Sequence, residues 1–400
     1  MGPLSGLRVL DLTTVLMGPY AGQILGDFGA DVIKIEPPQG DIIRQVGPAR
    51  RERMGALYLN SNRSKRTISL DLKKPEAREA MLRLAETADV LVTNIRPKAM
   101  AKLGLSYEDV AAASPRIIYA ALVGYGQNGP YANRPAYDDL IQGGACIPYS
   151  FTRAGAPASY VPAAISDRVV GLAGVNAILA ALFESSRSGK GQKIEVPMFE
   201  TMVSVIMADH MGGLTFEPPM DKGGYPRQLS PDRRPYQTKD GYVCALIYND
   251  CHWERFTAAI GCAATLATDA RFATFSGRMA HIDEVYAELA KTMLTRTTAE
   301  WLALFDEADI PVMPMHSFES VMEDPHLVAT GFFQTMEHPS EGTVRSMAVP
   351  TAFSRTPAGV ERLAPRLGED GPGILAETGF SADEIADLTA SGALFVETGD

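Results

Sequence analysis

The chain has 400 residues, of which 46% are hydrophobic and 21% charged, a composition typical of globular proteins and a length that favours two domains. Its 48 acidic and 37 basic residues give a formal net charge of −11, which argues against nucleic acid or an anionic membrane as the main partner. The sequence begins without a basic leader and has no uninterrupted run of 18 apolar residues, so we expect a cytoplasmic protein with no membrane anchor.

Short β-branched runs alternate with helical patterns through the first third of the chain, which is typical of βαβ units on a parallel sheet. The predicted strands are Arg8–Leu12, Val32–Ile35, Val90–Thr93 and Ile117–Val123. Between the first two, Gly18, Gly22 and Gly26 recur every four residues. They predict a helix with one smooth face that packs closely against its neighbours.

A long apolar helix is predicted directly after Asp167, over "VVGLAGVNAILAALF". Because this segment is apolar on almost every side, we expect the helix to be buried all round. Gly189 is expected to end the helix in a left-handed conformation, and the segment "QKIEVPM" predicts another strand.

Composition changes at residues 216–236, which are rich in Pro, Gly and Arg and predict a linker or a functional loop. A strand pair with helices follows, and the tail has its own helical pattern, "SADEIADLTASGAL". We therefore predict an α/β protein with a large Rossmann-like parallel-sheet domain and a smaller α/β domain. The predicted bounds are 1–215 completed by 325–400 for the large domain, 226–320 for the small one, and 216–225 and 321–324 for linkers.

Spacing argues against several common kinds of site. The turn after the first strand has no GxGxxG fingerprint, so we expect neither an NAD nor an FAD enzyme and no tightly bound cofactor. The six histidines show no HxH or HxxxH spacing, which argues against a metal site. The sequence has no GxSxG motif, and its cysteines lack CxxC spacing and predict reduced thiols at positions 146, 244, 251 and 262.

Asp167 is a lone carboxylate before an apolar helix, and two interpretations of it stay open on physical grounds. Asp and Ser are preferred at helix N-caps, so "SD" is what a plain cap looks like. Alternatively, Asp167 is functional, because free N–H groups at a helix N-terminus keep a carboxylate ionised. The same donors would stabilise an oxyanion on a carbonyl that the carboxylate attacks.

Seven segments in one order resemble the class III CoA-transferases, the group that includes formyl-CoA:oxalate and carnitine CoA-transferases and the α-methylacyl-CoA racemases. They are "GLRVLDLTTVLMGPYAGQILGDFGADVIKIEPPQGD", "NRSKRTISLDLKKPEARE", "ADVLVTNIRP", "LVGYGQNGPYANRPAYD", "SGKGQKIEVPM", "PYQTKDGYV" and "APRLGED". The resemblance implies a homodimer of interlocked chains, with the active site between the large domain of one chain and the small domain of the other. It also implies that acyl-CoA and carboxylic acids are the substrates.

The family's nucleophile is an aspartate that corresponds to Asp167. The resemblance implies that this carboxylate attacks a thioester to form an anhydride and then an enzyme thioester, and such an exchange needs water to be excluded. By position, the implied CoA contacts are Thr14, Val15, Met17, Lys73, Asn94, Ile95, Lys102 and Met198. Implied substrate contacts are Leu16, Tyr137, Asp138, Gly223, Gly224 and Arg227, the two glycines being candidates for a closing loop.

Departures from the family pattern narrow the function. Tyr137 stands near the position of a histidine that racemases use as a second base, and a phenol is a poor base at neutral pH, so CoA transfer is favoured over epimerisation. Leu16 replaces a glutamine of the formyl-CoA enzymes, which weakens the case for oxalate. Asp138 stands where those enzymes are acidic and is expected to steer acyl transfer.

Three arginines in the linker region carry a further hypothesis about the acceptor. Arg227, Arg233 and Arg234 suit carboxylates, so we hypothesise an acceptor with a second carboxylate, such as succinate, against the alternative of a solvated basic linker. For the protein as a whole, an α-epimerase and a CoA-binding protein without turnover remain the alternatives to a CoA-transferase.

Overall fold

The computed structural model describes residues 2–261, 266 and 269–397, and its contacts divide the chain into two compact units. The larger unit comprises Met1–Ala145, Val161–Ser204 and His326–Asp400, and the smaller unit comprises Cys146–Tyr160 and Val205–Pro325. This division differs from the predicted domain bounds mainly at 146–160 and 205–215, which the prediction assigned to the large domain. The predicted domain bounds themselves stay a prediction.

The larger unit is built on a seven-stranded sheet. In chain order its strands are β1 Arg8–Leu12, β2 Asp31–Glu36, β3 Lys65–Leu70, β4 Val90–Thr93, β5 Ile118–Val123, β6 Gln192–Pro197 and, from further along the chain, β12 Leu394–Phe395. Their spatial order is β12-β3-β2-β1-β4-β5-β6, and every pair is parallel except β12 with β3. The predicted Rossmann-like parallel sheet is thus confirmed in this unit, although β3 and β12 were not among the predicted strands.

Helices cover this sheet and supply most of the smaller unit. In chain order they are α1 Met17–Asp27, α2 Ala56–Leu59, α3 Pro75–Glu86, α4 Pro97–Lys102, α5 Tyr107–Ala113, α6 Asp138–Gly144, α7 Ile147–Arg153, α8 Ile165–Ser188, α9 Met198–His210, α10 Asp250–Ala259, α11 Phe275–Ala280, α12 Ile282–Met293, α13 Thr298–Glu307, α14 Pro325–Ala329, α15 Gly371–Glu377 and α16 Ala382–Ala390. Several begin at a side-chain cap, as at Ser106, Thr297 and Ser381, where the residue three positions on completes a capping box.

The glycine face predicted for α1 is confirmed by its close packing. A Cβ at Gly18 would lie 2.3 Å from the side chain of Thr13, and one at Gly26 would lie 2.3 Å from the backbone oxygen of Ser64. At Gly22 a Cβ would come 2.6 Å from a carboxylate oxygen of Asp11. Only glycine lets α1 approach these groups so closely.

The strand order places a crevice between β1 and β4. The chain runs outward in one direction from β1 to β2 and β3, and in the other from β4 to β5 and β6. In such sheets ligands bind beyond the carboxyl ends of the strands, where the order reverses. Thr13 follows β1 and Asn94 follows β4, so the segments that begin there border this crevice.

The helix α8 is longer than predicted and is not buried all round. Its buried residues recur at helical spacing and make one face, which includes Val170, Gly174 and Ile178 and packs mainly on α1. Leu172 and Phe183 lie on the opposite side and are 46% and 65% exposed. Within one chain, therefore, the apolar sequence of α8 has more apolar surface than the fold covers.

By length and composition, α8 is also the one helix in the described ranges that could cross a membrane, with a mean hydropathy of 1.6 over its most apolar 18 residues. A core helix of a globular protein passes the same test, and α8 packs against α1 and β5. The cytoplasmic location and the lack of a membrane anchor stay predictions.

The smaller unit has an antiparallel sheet of β7 Tyr236–Gln237, β8 Tyr242–Ala245 and β9 Val312–Pro314. Residues 238–241 join β7 to β8, and a connection this short allows only antiparallel pairing, so the unit is α+β where α/β was predicted. Its core is rich in aromatic residues, with Trp301 stacked on Phe305 at 5.2 Å. In the larger unit, β10 Phe333–His338 and β11 Gly342–Met347 form a separate hairpin.

Candidate active site

The segment after β1 is fixed by hydrogen bonds from two directions. The side-chain amide of Asn94, after β4, accepts the N–H of Thr14 at 2.9 Å and donates to its carbonyl at 2.8 Å. Asn94 thus ties the two sides of the crevice together. Its side chain is committed to Thr14 and not free to turn toward a ligand.

Val15 has an unusual backbone conformation for a β-branched residue, with φ of 69°. Its N–H donates to the carboxylate of Asp41, which in turn accepts from the ammonium of Lys34 at 3.1 Å. Lys34 also donates to the carbonyl of Thr13 at 2.9 Å, and both charged side chains are fully buried. A buried ion pair therefore holds the strained turn at the rim of the crevice.

Asp167 lies in the first turn of α8 and is not the cap of the helix. The N-cap position is Ala164, which makes no side-chain cap hydrogen bond, so the plain-cap interpretation of Asp167 is wrong. The N–H of Asp167 donates to Oδ1 of Asp138 at 3.0 Å. This donor, which was expected to be free for an oxyanion, is occupied.

Asp138 is itself positioned by Gln142, a fully buried residue one turn later on α6. The Gln142 side-chain amide donates to Oδ2 of Asp138, and its oxygen accepts the N–H of Val161 at 2.9 Å. Gln142 thus links α6 to the segment that leads into α8. The sequence analysis missed it, although its spacing of four residues from Asp138 was a usable signal.

The pKa of Asp167 is raised to about 6, chiefly by burial and then by the charge of Asp138, with Arg168 opposing. The helix N-terminus was expected to keep this carboxyl ionised, but burial and a second carboxylate outweigh that effect. At pH 7 the carboxylate form still predominates, and it is less stable and more basic than an exposed aspartate.

Asp167 and the crevice share one cavity of about 300 Å³ in the larger unit. It contains eight of the predicted site residues, namely Thr14, Val15, Met17, Asn94, Tyr137, Asp138, Asp167 and Met198. Two cationic side chains that the sequence analysis missed, Arg96 and Arg134, also line it. They come from separate loops, and nothing in their local sequence signals that these loops meet.

Other predicted site residues lie elsewhere in the larger unit. Leu16 is 8% exposed and packs in a small core cluster with Ile43 and Tyr58, and Ile95 packs on the main core. Lys73 is exposed and does not line the cavity. Lys102 lines a second cavity of about 330 Å³, which shares Arg96 with the first.

Gly223, Gly224 and Arg227 belong to the smaller unit. Both glycines have left-handed φ values, 69° and 104°, and a Cβ at Gly223 would lie 2.7 Å from the carbonyl oxygen of His210. This turn therefore requires glycine for its shape.

A larger cavity of about 550 Å³ in the larger unit contains His338 and Glu341. Nε2 of His338 lies 2.8 Å from the carbonyl oxygen of Ala364, and Nδ1 accepts the N–H groups of Ser340 and Glu341. Both ring nitrogens are thus used by the fold, and no chemistry is assigned to this cavity.

Among the described residues, no group of three or more His, Cys, Asp or Glu side chains is placed to hold a metal ion. The cysteines in those ranges are free, and Cys262 lies outside them.

Comparison with known proteins identifies relatives over nearly the whole chain. Residues 4–371 match the model of CoA-transferase family III. A succinate–glutarate CoA-transferase from Agrobacterium fabrum is 35% identical over 386 residues, covering 94% of this chain and 95% of that protein. A formyl-CoA:oxalate CoA-transferase from Rhodopseudomonas palustris is 32% identical, covering 98% and 97%.

Solved structures are similar over the same length. A CAIB/BAIF family protein from Brucella suis is 34% identical with a TM-score of 0.79, covering 94% of this chain and 99% of that one. A Mycobacterium tuberculosis protein is 30% identical with a TM-score of 0.80, covering 93% and 98%. The described architecture is therefore shared with these proteins.

Proposed function

The chain belongs to CoA-transferase family III, and we propose that it moves CoA from an acyl-CoA to a carboxylic acid through a covalent adduct on Asp167. The observation that carries the proposal is the carboxyl of Asp167, which lines the cavity at the sheet's crevice with a pKa raised to about 6. Such a group is ionised at neutral pH and more basic than an exposed carboxylate, as a nucleophile should be.

The proposed exchange balances in four steps. The Asp167 carboxylate attacks the thioester carbonyl, the C–S bond breaks, and a mixed anhydride and CoA thiolate form. The thiolate then attacks the aspartyl carbonyl and releases the donor acid as a carboxylate, leaving CoA as a thioester of Asp167. The acceptor carboxylate attacks this thioester, the C–S bond breaks, and a second anhydride and CoA thiolate form. The thiolate then attacks the acceptor carbonyl, which forms the acyl-CoA of the acceptor and releases Asp167 as a carboxylate.

Neighbouring groups have defined parts in this proposal. Asp138 and Gln142 hold the start of α8, so the carboxyl of Asp167 has a fixed origin. Arg96 lines both the Asp167 cavity and the cavity with Lys102, and this pair of cations suits the phosphates of CoA. Thr14, Val15, Met17 and Met198 are the proposed contacts of its pantetheine arm, together with the backbone of Asn94, whose side chain holds Thr14. Lys73 remains a predicted contact without support from the cavity.

Dicarboxylic acids are the proposed substrates. The relatives named above act, by their names, on succinate and glutarate or on oxalate. We favour an acid of the succinate and glutarate size, because the succinate–glutarate CoA-transferase is 35% identical to this chain and the formyl-CoA:oxalate enzyme 32%.

The covalent adduct is the direct test. The protein is mixed with succinyl-CoA and its intact mass is measured before and after hydroxylamine, alongside Asp167→Asn and the matched control Asp139→Asn, an exposed carboxylate on α6. We expect a CoA-sized adduct that hydroxylamine removes in the wild type and the control but not in Asp167→Asn. Absence of any adduct would favour a CoA-binding protein, and deuterium entering the acyl α-carbon without an acceptor would favour an epimerase.

A homodimer is part of the proposal. The outer side of α8 exposes Leu172 and Phe183, and a second copy of the chain is the occupant that the family resemblance implies for such a face. Sedimentation should give a dimer that persists on dilution if the chains interlock. Phe183→Asp should shift it toward monomer, the exposed control Ser186→Asp should not, and a wild-type monomer at tens of micromolar would exclude the dimer.

A further inference from the structure

Another cavity, of about 490 Å³, lies wholly in the smaller unit and is unusually basic. We call it the arginine cavity. Arg227, Arg233 and Arg234 line it, and no Asp or Glu stands among its described lining residues. The chain as a whole has 48 acidic and 37 basic residues, so three arginines without a lining carboxylate are a local reversal of charge. Such a reversal favours an anionic ligand.

The three arginines differ in how their charge is already compensated. Arg234 pairs with Asp232 at 2.8 Å. Neither Arg227 nor Arg233 has an ion-pair partner within the described part of the chain. Two guanidinium groups are therefore available for one anionic group, and their planar donor pairs match a carboxylate or phosphate.

Arg227 is the more constrained of the two. Its side chain is half-buried, its guanidinium lies 5.1 Å from the ring centre of Tyr248, and its Nε is buried without a hydrogen-bond partner among the described residues. A buried donor that the fold leaves unpaired costs stability, which a ligand oxygen would recover.

The tyrosines of the cavity do not neutralise these cations. Burial raises the pKa of Tyr286 above its usual value although Arg227 and Arg233 oppose the shift, and burial also raises the pKa of Tyr236. Both phenols therefore stay neutral at pH 7. Tyr286 and Arg227 line the same cavity, and the positive charge of Arg227 acts to lower the pKa of Tyr286.

We propose that Arg227 and Arg233 bind a terminal oxyanion of a substrate, either the free carboxylate of a dicarboxylic acid or a phosphate of CoA. This inference rests on the proposed function for the identity of the substrate but not for the existence of the site. Two cations fixed around one cavity select a ligand that carries an anionic group over an uncharged analogue.

The test compares acids that differ only in that far end. Initial rates are measured with glutarate and with pentanoate as acceptors, for the wild type, Arg227→Gln, Arg233→Gln and the control Arg271→Gln, an exposed arginine of the same unit paired with Asp269. If the oxyanion is the carboxylate, Arg227→Gln raises KM for glutarate about 10-fold or more and leaves KM for pentanoate and kcat nearly unchanged. Arg227→Lys recovers part of the loss, and the control changes nothing.

A second arm distinguishes the phosphate. This arm compares CoA with 3′-dephospho-CoA, which lacks the 3′-phosphate. If the oxyanion is that phosphate, the arginine variants keep the wild-type KM for the acids and the wild-type affinity for 3′-dephospho-CoA. Their affinity for CoA falls to their affinity for 3′-dephospho-CoA. Direct titration of glutarate and of CoA into the wild type and Arg227→Gln tests the site even if no adduct forms on Asp167. The proposal would be overturned if Arg227→Gln bound glutarate and CoA each as tightly as the wild type does. In that case a covalent adduct on the wild-type protein would still support the proposed function.

Discussion

Two carboxyl groups of the larger unit, the buried Glu36 and the partly buried Asp167, have pKa values shifted in opposite directions. Burial by itself raises the pKa of Glu36, at the end of β2, but Arg44 and Lys34 lower it to about 2. At Asp167, burial and the charge of Asp138 act together and raise the pKa to about 6. Both groups are desolvated, so the sign of the neighbouring charge decides the outcome.

Around Glu36, buried charges are paired with opposite charges and stabilise the surrounding backbone. Asp11 pairs with Lys65, Lys34 with Asp41, and Glu36 with Arg44, and their side chains are at most 1% exposed. Each pair is tied to backbone groups of its surroundings, as Arg44 is to the carbonyl of Pro365. Charges satisfied within the protein thus fix the backbone, whereas Asp167 and the arginine cavity are the places where we propose chemistry and ligand binding.

The largest expected effect is a loss of activity on replacing Asp167, a carboxyl group that has no ion-pair partner among the residues that the structure describes. Replacing Asp167 by Asn removes the proposed nucleophile and should lower the rate of CoA exchange at least about 1000-fold. The rate between succinyl-CoA and glutarate measures it, with circular dichroism as the check on folding. Exchange at the wild-type rate would show that the reaction does not pass through Asp167.

Among the buried ion pairs, Lys65→Met should destabilise the fold. The Lys65 ammonium donates to Asp11 and the carbonyl of Pro19, each at 2.8 Å, and its loss leaves the buried carboxylate of Asp11 without its ion-pair partner. We expect the free energy of unfolding in urea to fall by about 3–5 kcal/mol. Lys291→Met, which breaks an exposed pair with Glu288, should change it little. Equal effects of the two would mean that burial does not distinguish these pairs.

Asp167→Asn should also stabilise the protein at neutral pH. The pKa of Asp167 is raised from 3.8 to about 6 in the folded chain, so ionisation costs stability, which falls as the pH rises through that window. Asparagine avoids this cost, and we expect a gain of about 1–3 kcal/mol at pH 7 that vanishes below pH 4. Melting temperatures across this range measure it, and a gain independent of pH would have another cause.

Asp138→Asn should shift the pH dependence of the reaction. Wild-type activity is expected to fall as the pH drops through about 6, where Asp167 becomes protonated. Asparagine keeps an oxygen to accept the Asp167 N–H but removes the like charge, so the midpoint should move lower without reaching 3.8, because burial remains. The pH profile of adduct formation reports this, and an unchanged midpoint would mean that Asp138 does not influence the titration.

Val15→Gly should have the smallest effect. Glycine relieves the positive φ at the crevice but adds freedom to the unfolded chain, so we expect stability to change by no more than about 1 kcal/mol. KM for acyl-CoA should nevertheless rise, because the segment that Asp41 holds becomes looser. Unchanged KM with unchanged stability would show that the strain at Val15 has no part in binding.

The sequence predicted the parts of the fold that have a local pattern. Alternating apolar strands and the glycine face of α1 are such patterns, and both appear as expected. β3 was missed because it begins with Lys65 and Arg66, cations that favour solvent unless a distant carboxylate pairs with them.

The candidate site was less predictable from local sequence patterns than the fold. Asp167 was predicted through family resemblance, since physical reasoning alone left a plain helix cap open, and the structure places the cap at Ala164. Arg96, Arg134 and Gln142 were missed because their importance depends on loops brought together by the fold. The burial of α8 was overestimated because apolar composition does not tell which surface one chain can cover.

The last strand of the sheet has a consequence for synthesis of the protein. β6 ends at Pro197, but β12, which covers the outer edge of β3, starts only at Leu394. At about 5–20 residues per second, a ribosome needs roughly 10–40 seconds to make the intervening stretch. The nascent larger unit therefore waits with an open sheet edge, and an open edge can pair with another chain. We therefore expect removal of β12 to leave the edge of β3 open and to promote aggregation of the chain during synthesis.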